Sequence, residues 1–371
     1  MEVLSPQLQS TLPTEAMTFR LCDQWRCQTS IRNTDRLYIC FTDSVGSHFL
    51  ASTYLSNHST PLHPSITRHR ASQQHLIDNS GTTHIMATTT STQTQTHSFG
   101  VSSNVEVPRG ETRSSLTFYE PPVDGSKPWN YVEQAPEGSP QRNFGEDTHE
   151  VAINDIRGRE NEFDMNINGF GTLSGIESKE KDFTEDDSIK ENYYPEVEKL
   201  LLDNVEGAHR VFIFDHTVRR SNPDAKRGPV NRAHIDQTTK SAIQRVNYHL
   251  GDEAEELLKG RYRLINVWRP LNGPVVSKPL AYADSRSVPD DDIVPVEHRY
   301  PHRTGETAGV KYTEQGKWYY WSGMKNDERI LLQCYDSKDH ARTPHTAFDD
   351  PRTQEGWPGR ESIEVRTLVF G

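Results

Sequence analysis

Lysine is missing from the chain until Lys127 and recurs regularly after it, while the first 100 residues hold 30 serines and threonines. A segment of that composition has little apolar surface with which to offset the entropy of ordering it. Long apolar runs are missing too. None approaches the roughly 18 consecutive residues that cross a bilayer, and the N-terminus, with Glu2 and few basic side chains, lacks a signal-peptide pattern. These features lead to the expectation of a soluble, cytoplasmic protein without a membrane span. Cysteine is scarce, at four residues, and Cys22, Cys27 and Cys40 all fall in the lysine-free segment. A disulfide framework is therefore not expected. Nor is a zinc site, because no histidine or cysteine completes Cys22 and Cys27 at a recognisable spacing. Basic excess is also lacking: the net charge is -12 and the pI near 5.7. That balance argues against nucleic acid or an anionic membrane as the main partner and favours a small-molecule substrate.

Only 33% of the residues are hydrophobic and the mean hydropathy is -0.80, low for a chain of 371 residues that buries all of itself. We expect residues 1–100 to form a disordered, low-complexity tail, ending in the polar run Ala87–Thr96. Met86 stands directly before that run, so the preceding residues read as an upstream extension that the working protein does not need. Residues 101–371 are expected to form the folded domain, with 101–190 as an extended arm bearing one or two edge strands and 191–371 as the catalytic core.

Signals sharpen from residue 190. Tyr193–Leu201 reads as a helix with Pro195 in its first turn, where a missing N–H costs little. Val211–Phe214 reads as a buried strand, and Ile243, Val246 and Leu250 recur at helical spacing until Gly251. Asp252 and Glu255 have the form of a capping box opening a further helix. Four more strands are predicted over Tyr262–Trp268, Lys317–Trp321, Arg329–Tyr335 and Ser362–Phe370. No glycine-rich phosphate loop and no regular βαβ alternation accompany them. The fold class expected is mainly β with flanking α-helices, a double-stranded β-helix or jelly roll.

His234-Ile235-Asp236 carries the chemistry. In a strand, residues i and i+2 share a face, so an imidazole and a carboxylate would point into one cavity. A histidine from a distant strand would complete a two-histidine, one-carboxylate metal face with three positions left open. His345 follows a predicted strand about 110 residues on. His340 is the rival, ranked lower because Lys338–Arg342 reads as a solvated loop. Arg366 lies beyond both, on the last strand; in sites of this class such an arginine pairs in a bidentate manner with the far carboxylate of 2-oxoglutarate. Alternation with Ile363, Val365 and Val369 would alternatively turn Arg366 to solvent beside Glu364, although Leu368 and Phe370 on its own face favour a covered surface.

Several segments together resemble the fungal hydroxylase/desaturase family of secondary metabolism, which includes gibberellin desaturase-like and cephamycin methoxylation protein-like members. They are Asp215–Arg219, His234–Asp236, Glu255–Arg261, Asn266–Leu271, Lys317–Tyr320, Pro344–Phe348 and Arg360–Arg366. The resemblance covers about residues 110–371 in order. It implies a jelly-roll fold, Fe(II) held by His234, Asp236 and His345, and 2-oxoglutarate and dioxygen as co-substrates. It favours His345 over His340 and implies hydroxylation or desaturation of a hydrophobic secondary metabolite. Arg269 and Arg360 follow Arg366 as candidates for the co-substrate anchor. Trp268 and Arg269 read as packing, one ring of Trp318–Tyr320 as a pocket wall, and His216 as a hydrogen-bonded core histidine. Two other readings compete: a non-catalytic jelly-roll accessory protein that serves a partner enzyme, and a zinc hydrolase built on the same ligands.

Overall fold

The computed structural model describes residues 106–371 apart from 222–227, together with the backbone of 25–33, 36–43 and 48–54. The expected disordered tail falls mostly outside the described residues. Within it, the strands Trp25–Asn33, Arg36–Asp43 and His48–Tyr54 pair antiparallel in a sheet of their own, which the composition did not suggest.

Two further sheets form the main unit. The five-stranded sheet runs, edge to edge, Phe170–Leu173, Arg329–Asp336, Tyr262–Pro270, Ser362–Phe370 and Arg210–Arg219, with every pairing antiparallel. Its central strands read as almost continuous apolar runs because both of their faces are covered. Leu264, Leu368 and Phe370 pack with Leu116, Phe118, Trp318 and Tyr320 of the larger sheet. The alternate residues Ile265, Val267, Val365 and Val369 pack under Val197, Leu200 and Leu201 of the helix Tyr194–Asn204. At roughly 1.5–3 kcal/mol per fully buried aliphatic or aromatic side chain, these two interfaces are the main favourable term in the fold.

The nine-stranded sheet runs Thr112–Glu120, Gly145–Asp155, Trp318–Tyr320, Leu280–Ala283, His345–Ala347, His234–Ile235, Thr304–Val310, Ile293–Arg299 and Trp129–Tyr131. The two sheets make the jelly roll. Residues 101–190 are more than an arm, since they supply four strands. Three of these are sheet edges, but Gly145–Asp155 is an inner strand between Thr112–Glu120 and Trp318–Tyr320. Its outer half alternates exposed and half-buried residues, so its apolar signal is weak.

Helix Thr239–Leu250 closes one side of the core through Ala242, Val246 and Leu250. Its start is a capping box that sequence reading misplaced: the Thr238 hydroxyl accepts from the Ser241 N–H at 3.1 Å, and the Ser241 hydroxyl accepts from the Thr238 N–H at 2.7 Å. Asp252 caps nothing. It sits inside a 3-10 turn, Gly251–Glu253, that runs on into the short helix Ala254–Leu257, so no free helix start exists there. Among the described residues no helix is long and apolar enough to cross a membrane.

Candidate metal centre

His234 and Ile235 form a strand of only two residues, wedged between His345–Ala347 and Thr304–Val310. His345 pairs directly opposite His234, and Gly309 flanks His234 on the other side. A side chain at 309 would not fit, because a Cβ there would lie 2.9 Å from the Tyr119 ring. Ile235 is buried in the core, so its neighbours His234 and Asp236 turn to the opposite face. The structure thus brings His234, Asp236 and His345 together, with their ligand atoms all within 4.8 Å of one another. The imidazole centroids are 4.5 Å apart, and His234 Nε2 is 3.3 Å from Asp236 Oδ1.

Both imidazoles are oriented from behind in the same way. His234 Nδ1 lies 2.9 Å from the Arg232 carbonyl and His345 Nδ1 lies 3.0 Å from the Thr343 carbonyl. A ring nitrogen facing a carbonyl oxygen has to be the protonated one, which leaves each Nε2 lone pair free for a cation. Burial, with the nearby His234, pushes His345 down to about 4 against the pull of Asp236, so at neutral pH it is in the uncharged, ligating form. Asp236 is half committed already. Its Oδ2 accepts from Asn266 Nδ2 at 2.8 Å and from Arg366 Nε at 2.9 Å, while Oδ1 faces His234. Burial opposes its charge, but Arg366, His234 and His345 outweigh that and hold the carboxyl well below the usual range.

Arg366 points to the interior, as its face of the strand required, and its guanidinium is surrounded by protein oxygens. Besides Asp236, Nη1 lies 3.2 Å from Asp215 Oδ1 and 3.1 Å from Thr217 Oγ1, and Nη2 lies 2.6 Å from Glu364 Oε1. The register explains this cluster, since Asn266 and Asp215 are the residues directly opposite Arg366 on the two flanking strands. Asn266, Asp215 and Glu364 were missed as members of the site. Their signal was present only as polar residues at buried, inward positions of apolar strands.

Arg360 is the other buried guanidinium of the site. It shares with Arg219, Trp268, Leu280 and Thr346 the walls of a small pocket, about 30 Å³, that also reaches His234, Asp236 and His345. Its Nη1 donates to the Lys278 carbonyl at 2.7 Å and its carbon lies 5.2 Å from the Trp268 ring centroid. Its buried Nε has no partner among the described residues.

Other expectations resolve by position. His340 is exposed, in a turn with φ 56°, and is not among the clustered ligands. His216 is a bonded core histidine, with Tyr194 Oη 2.9 Å from its Nδ1. Arg269 lies on the far face of its sheet, over the rings of Phe183 and Tyr193 at 5.0 and 5.7 Å, so it packs. None of Trp318, Tyr319 and Tyr320 lines the cavity at Asp236, because Trp318 and Tyr320 face the core between the sheets and Tyr319 packs on Phe163.

A second, larger cavity of about 450 Å³ opens beside Asp236, lined by Gln237, Arg245, His298, Arg303 and Glu306 among others. Burial, with the neighbouring His234 and Arg232, pushes His298 down to about 4 against the pull of Asp236. An imidazole near 6.5 unfolded and about 4 folded takes its proton first in the unfolded chain. Its share of stability is complete above pH 6.5 and is lost as pH falls from 6.5 to 4. Thermal melts over that interval should show a weaker pH slope in His298→Gln than in the wild type; equal slopes would mean that His298 titrates like a solvated imidazole.

Comparison with known proteins identifies the family. The family model described as an oxidoreductase/YMDC permease-like domain matches residues 116–370. The chain is similar to the hydroxylase/desaturase poxK of Penicillium oxalicum, 34% identical over 299 residues that cover 71% of this chain and 92% of that one. It is also 34% identical over 270 residues to the Fe(II)/2-oxoglutarate-dependent dioxygenase nvfI of Aspergillus novofumigatus, covering 70% of this chain and 96% of the relative. The solved structure of the iron and alpha-ketoglutarate-dependent endoperoxidase NvfI superimposes with a TM-score of 0.66 at 32% identity, over 71% of this chain and 99% of that one. The chain belongs to the fungal hydroxylase/desaturase family of iron(II)/2-oxoglutarate-dependent oxygenases.

Proposed function

We propose that His234, Asp236 and His345 hold iron(II), and that the enzyme hydroxylates or desaturates a small secondary metabolite, in the cytoplasm, at the expense of 2-oxoglutarate and dioxygen. The observation that carries this reading is the donor set itself. Two imidazoles with free Nε2 atoms and one carboxylate oxygen lie within 4.8 Å of one another, on one side of a cavity. Such a set suits iron(II) and leaves coordination positions open. When bound, iron with 2-oxoglutarate supplies the oxidising power needed to remove hydrogen from carbon.

The protein's own part is orientation and exclusion. Arg232 and Thr343 fix the imidazole planes through their carbonyls, and Asn266 with Arg366 fixes the Asp236 carboxylate. Arg366 therefore serves as a positioning residue, because its Nε bonds Asp236 and its Nη1 bonds Asp215 and Thr217. Arg360 is the better anchor for the far carboxylate of 2-oxoglutarate, with a buried Nε still to be satisfied and the Trp268 ring to steady its plane. The pocket that reaches the ligands is too small for the co-substrate as it stands, so binding has to shift a lining side chain.

Metal analysis of protein purified without oxygen tests the reading directly. About one iron per chain is expected, with succinate formed only when 2-oxoglutarate and oxygen are both supplied. Zinc without succinate formation would favour the hydrolase, and no metal the accessory protein.

A further inference from the structure

The cavity beside Asp236 is polar, and its charges do not balance within the protein. Two carboxylates line it, and both are already engaged: Asp236 by Arg366 and Asn266, and Glu306 by the Thr238 hydroxyl and by Lys240 Nζ at 3.3 Å. Two guanidiniums line it as well, Arg245 from the helix Thr239–Leu250 and Arg303 from the turn before the strand Thr304–Val310. Neither makes a hydrogen bond or ion pair with any described residue. Each lies instead against an aromatic ring, Arg245 at 4.9 Å from the Phe214 centroid and Arg303 at 3.8 Å from that of Tyr300.

That arrangement is unfavourable without a ligand. Arg245 is partly buried, and burial lowers its affinity for a proton; Asp215 opposes this in part, and the like charges of Arg303 and Arg366 add to it. Two cations facing one cavity, neither paired with a carboxylate among the described residues, repel, and an incoming oxyanion would relieve that repulsion. Stacking on the rings limits the rotamers of both side chains, so little further ordering is needed when their forks engage a carboxylate.

We infer that the substrate of this oxygenase carries a carboxylate or a similar oxyanion, which Arg245 and Arg303 hold at the cavity mouth while the rest of the molecule reaches toward Asp236. This deepens the oxygenase reading and rests on it. It also changes the expected substrate from a purely hydrophobic metabolite to an acidic one. The co-substrate is itself a dicarboxylate, so its binding has to be separated from that of the substrate.

The test uses iron(II) protein held anaerobically with saturating 2-oxoglutarate. Into it are titrated indole-3-acetate, benzoate and decanoate, each beside its neutral amide, with binding read by calorimetry and by the metal-to-ligand charge-transfer band. At least one acid should bind ten times or more tightly than its amide. The preference should vanish in the double variant Arg245→Gln/Arg303→Gln, whose affinity for 2-oxoglutarate stays within a factor of about two of the wild type. Equal binding of every acid and its amide by the wild type would overturn the inference. So would a double variant that loses 2-oxoglutarate affinity, because the two arginines would then serve the co-substrate. If the wild type shows no 2-oxoglutarate-dependent band, the oxygenase reading fails instead, and the calorimetric acid-to-amide ratio still decides the anion site.

Discussion

Replacing His345 with alanine should abolish 2-oxoglutarate-dependent succinate formation and reduce iron affinity by more than the roughly 10–100-fold that loss of an outer partner costs. His234→Ala and Asp236→Ala should do the same. The expectation follows from the count of donors: if His234, Asp236 and His345 hold the ion from one face, as proposed, each removal leaves two ligands, too few to fix its geometry. The imidazole of His345 is uncharged at neutral pH, so its removal costs packing and one hydrogen bond but leaves no buried ion behind. The variant should therefore fold, as circular dichroism would check, and the loss can be assigned to the metal. His340→Ala is the control. Its side chain is exposed in a turn away from the cluster, and it should retain most of the wild-type rate. An inactive His340→Ala beside an active His345→Ala would mean that the third ligand is misassigned.

The parts of this site that were legible in the sequence are those written locally. His-x-Asp is one strand's alternation, and it needed no knowledge of neighbours to place both side chains on a face. The strands Tyr262–Pro270, Arg329–Asp336 and Ser362–Phe370 were legible because both of their faces are covered, so their apolar runs are nearly unbroken. The strand Gly145–Asp155 was not, because its outer half alternates with solvent and its apolar content is slight. The capping box was misplaced by one helix as well. Asp252 and Glu255 have the right spacing, but Asp252 lies inside the 3-10 turn that follows the left-handed backbone of Gly251, and that turn runs straight on into Ala254–Leu257, so its side chain has no open helix start to cap. What surrounds Arg366 could not be read locally at all. Asn266 and Asp215 come to it from strands 100 and 151 residues earlier in the chain, through a register that only the folded sheet defines.

That register leads to opposite expectations for the two buried arginines of the site. Arg366→Ala would leave Asp236 and Glu364 buried with their shared cation gone, and removing one partner of a buried ion pair costs about 3–5 kcal/mol. The metal-free variant should melt well below the wild type, and added iron(II) should recover part of the loss, because the ion supplies positive charge beside Asp236. Its iron affinity should fall about 10–100-fold as the carboxylate loses its orienting partner. Once iron is saturating, its 2-oxoglutarate titration should overlay that of the wild type. Arg360→Ala reverses the pattern. Among the described residues its Nη1 bonds only the Lys278 carbonyl and its Nε has no partner, so cutting it back unpairs no buried carboxylate there. Iron binding should stay near the wild-type level while 2-oxoglutarate affinity drops by about a hundredfold, within the 2–5 kcal/mol that truncating a buried charge pair costs. Lysine at 360 should restore little of it, since a point charge does not reproduce the planar fork. Anaerobic titration of 2-oxoglutarate into each iron(II) protein, followed by the charge-transfer band, measures both. A curve that shifts in Arg366→Ala and not in Arg360→Ala would return the anchoring role to Arg366 and require its contacts with Asp215 and Glu364 to open when the co-substrate binds.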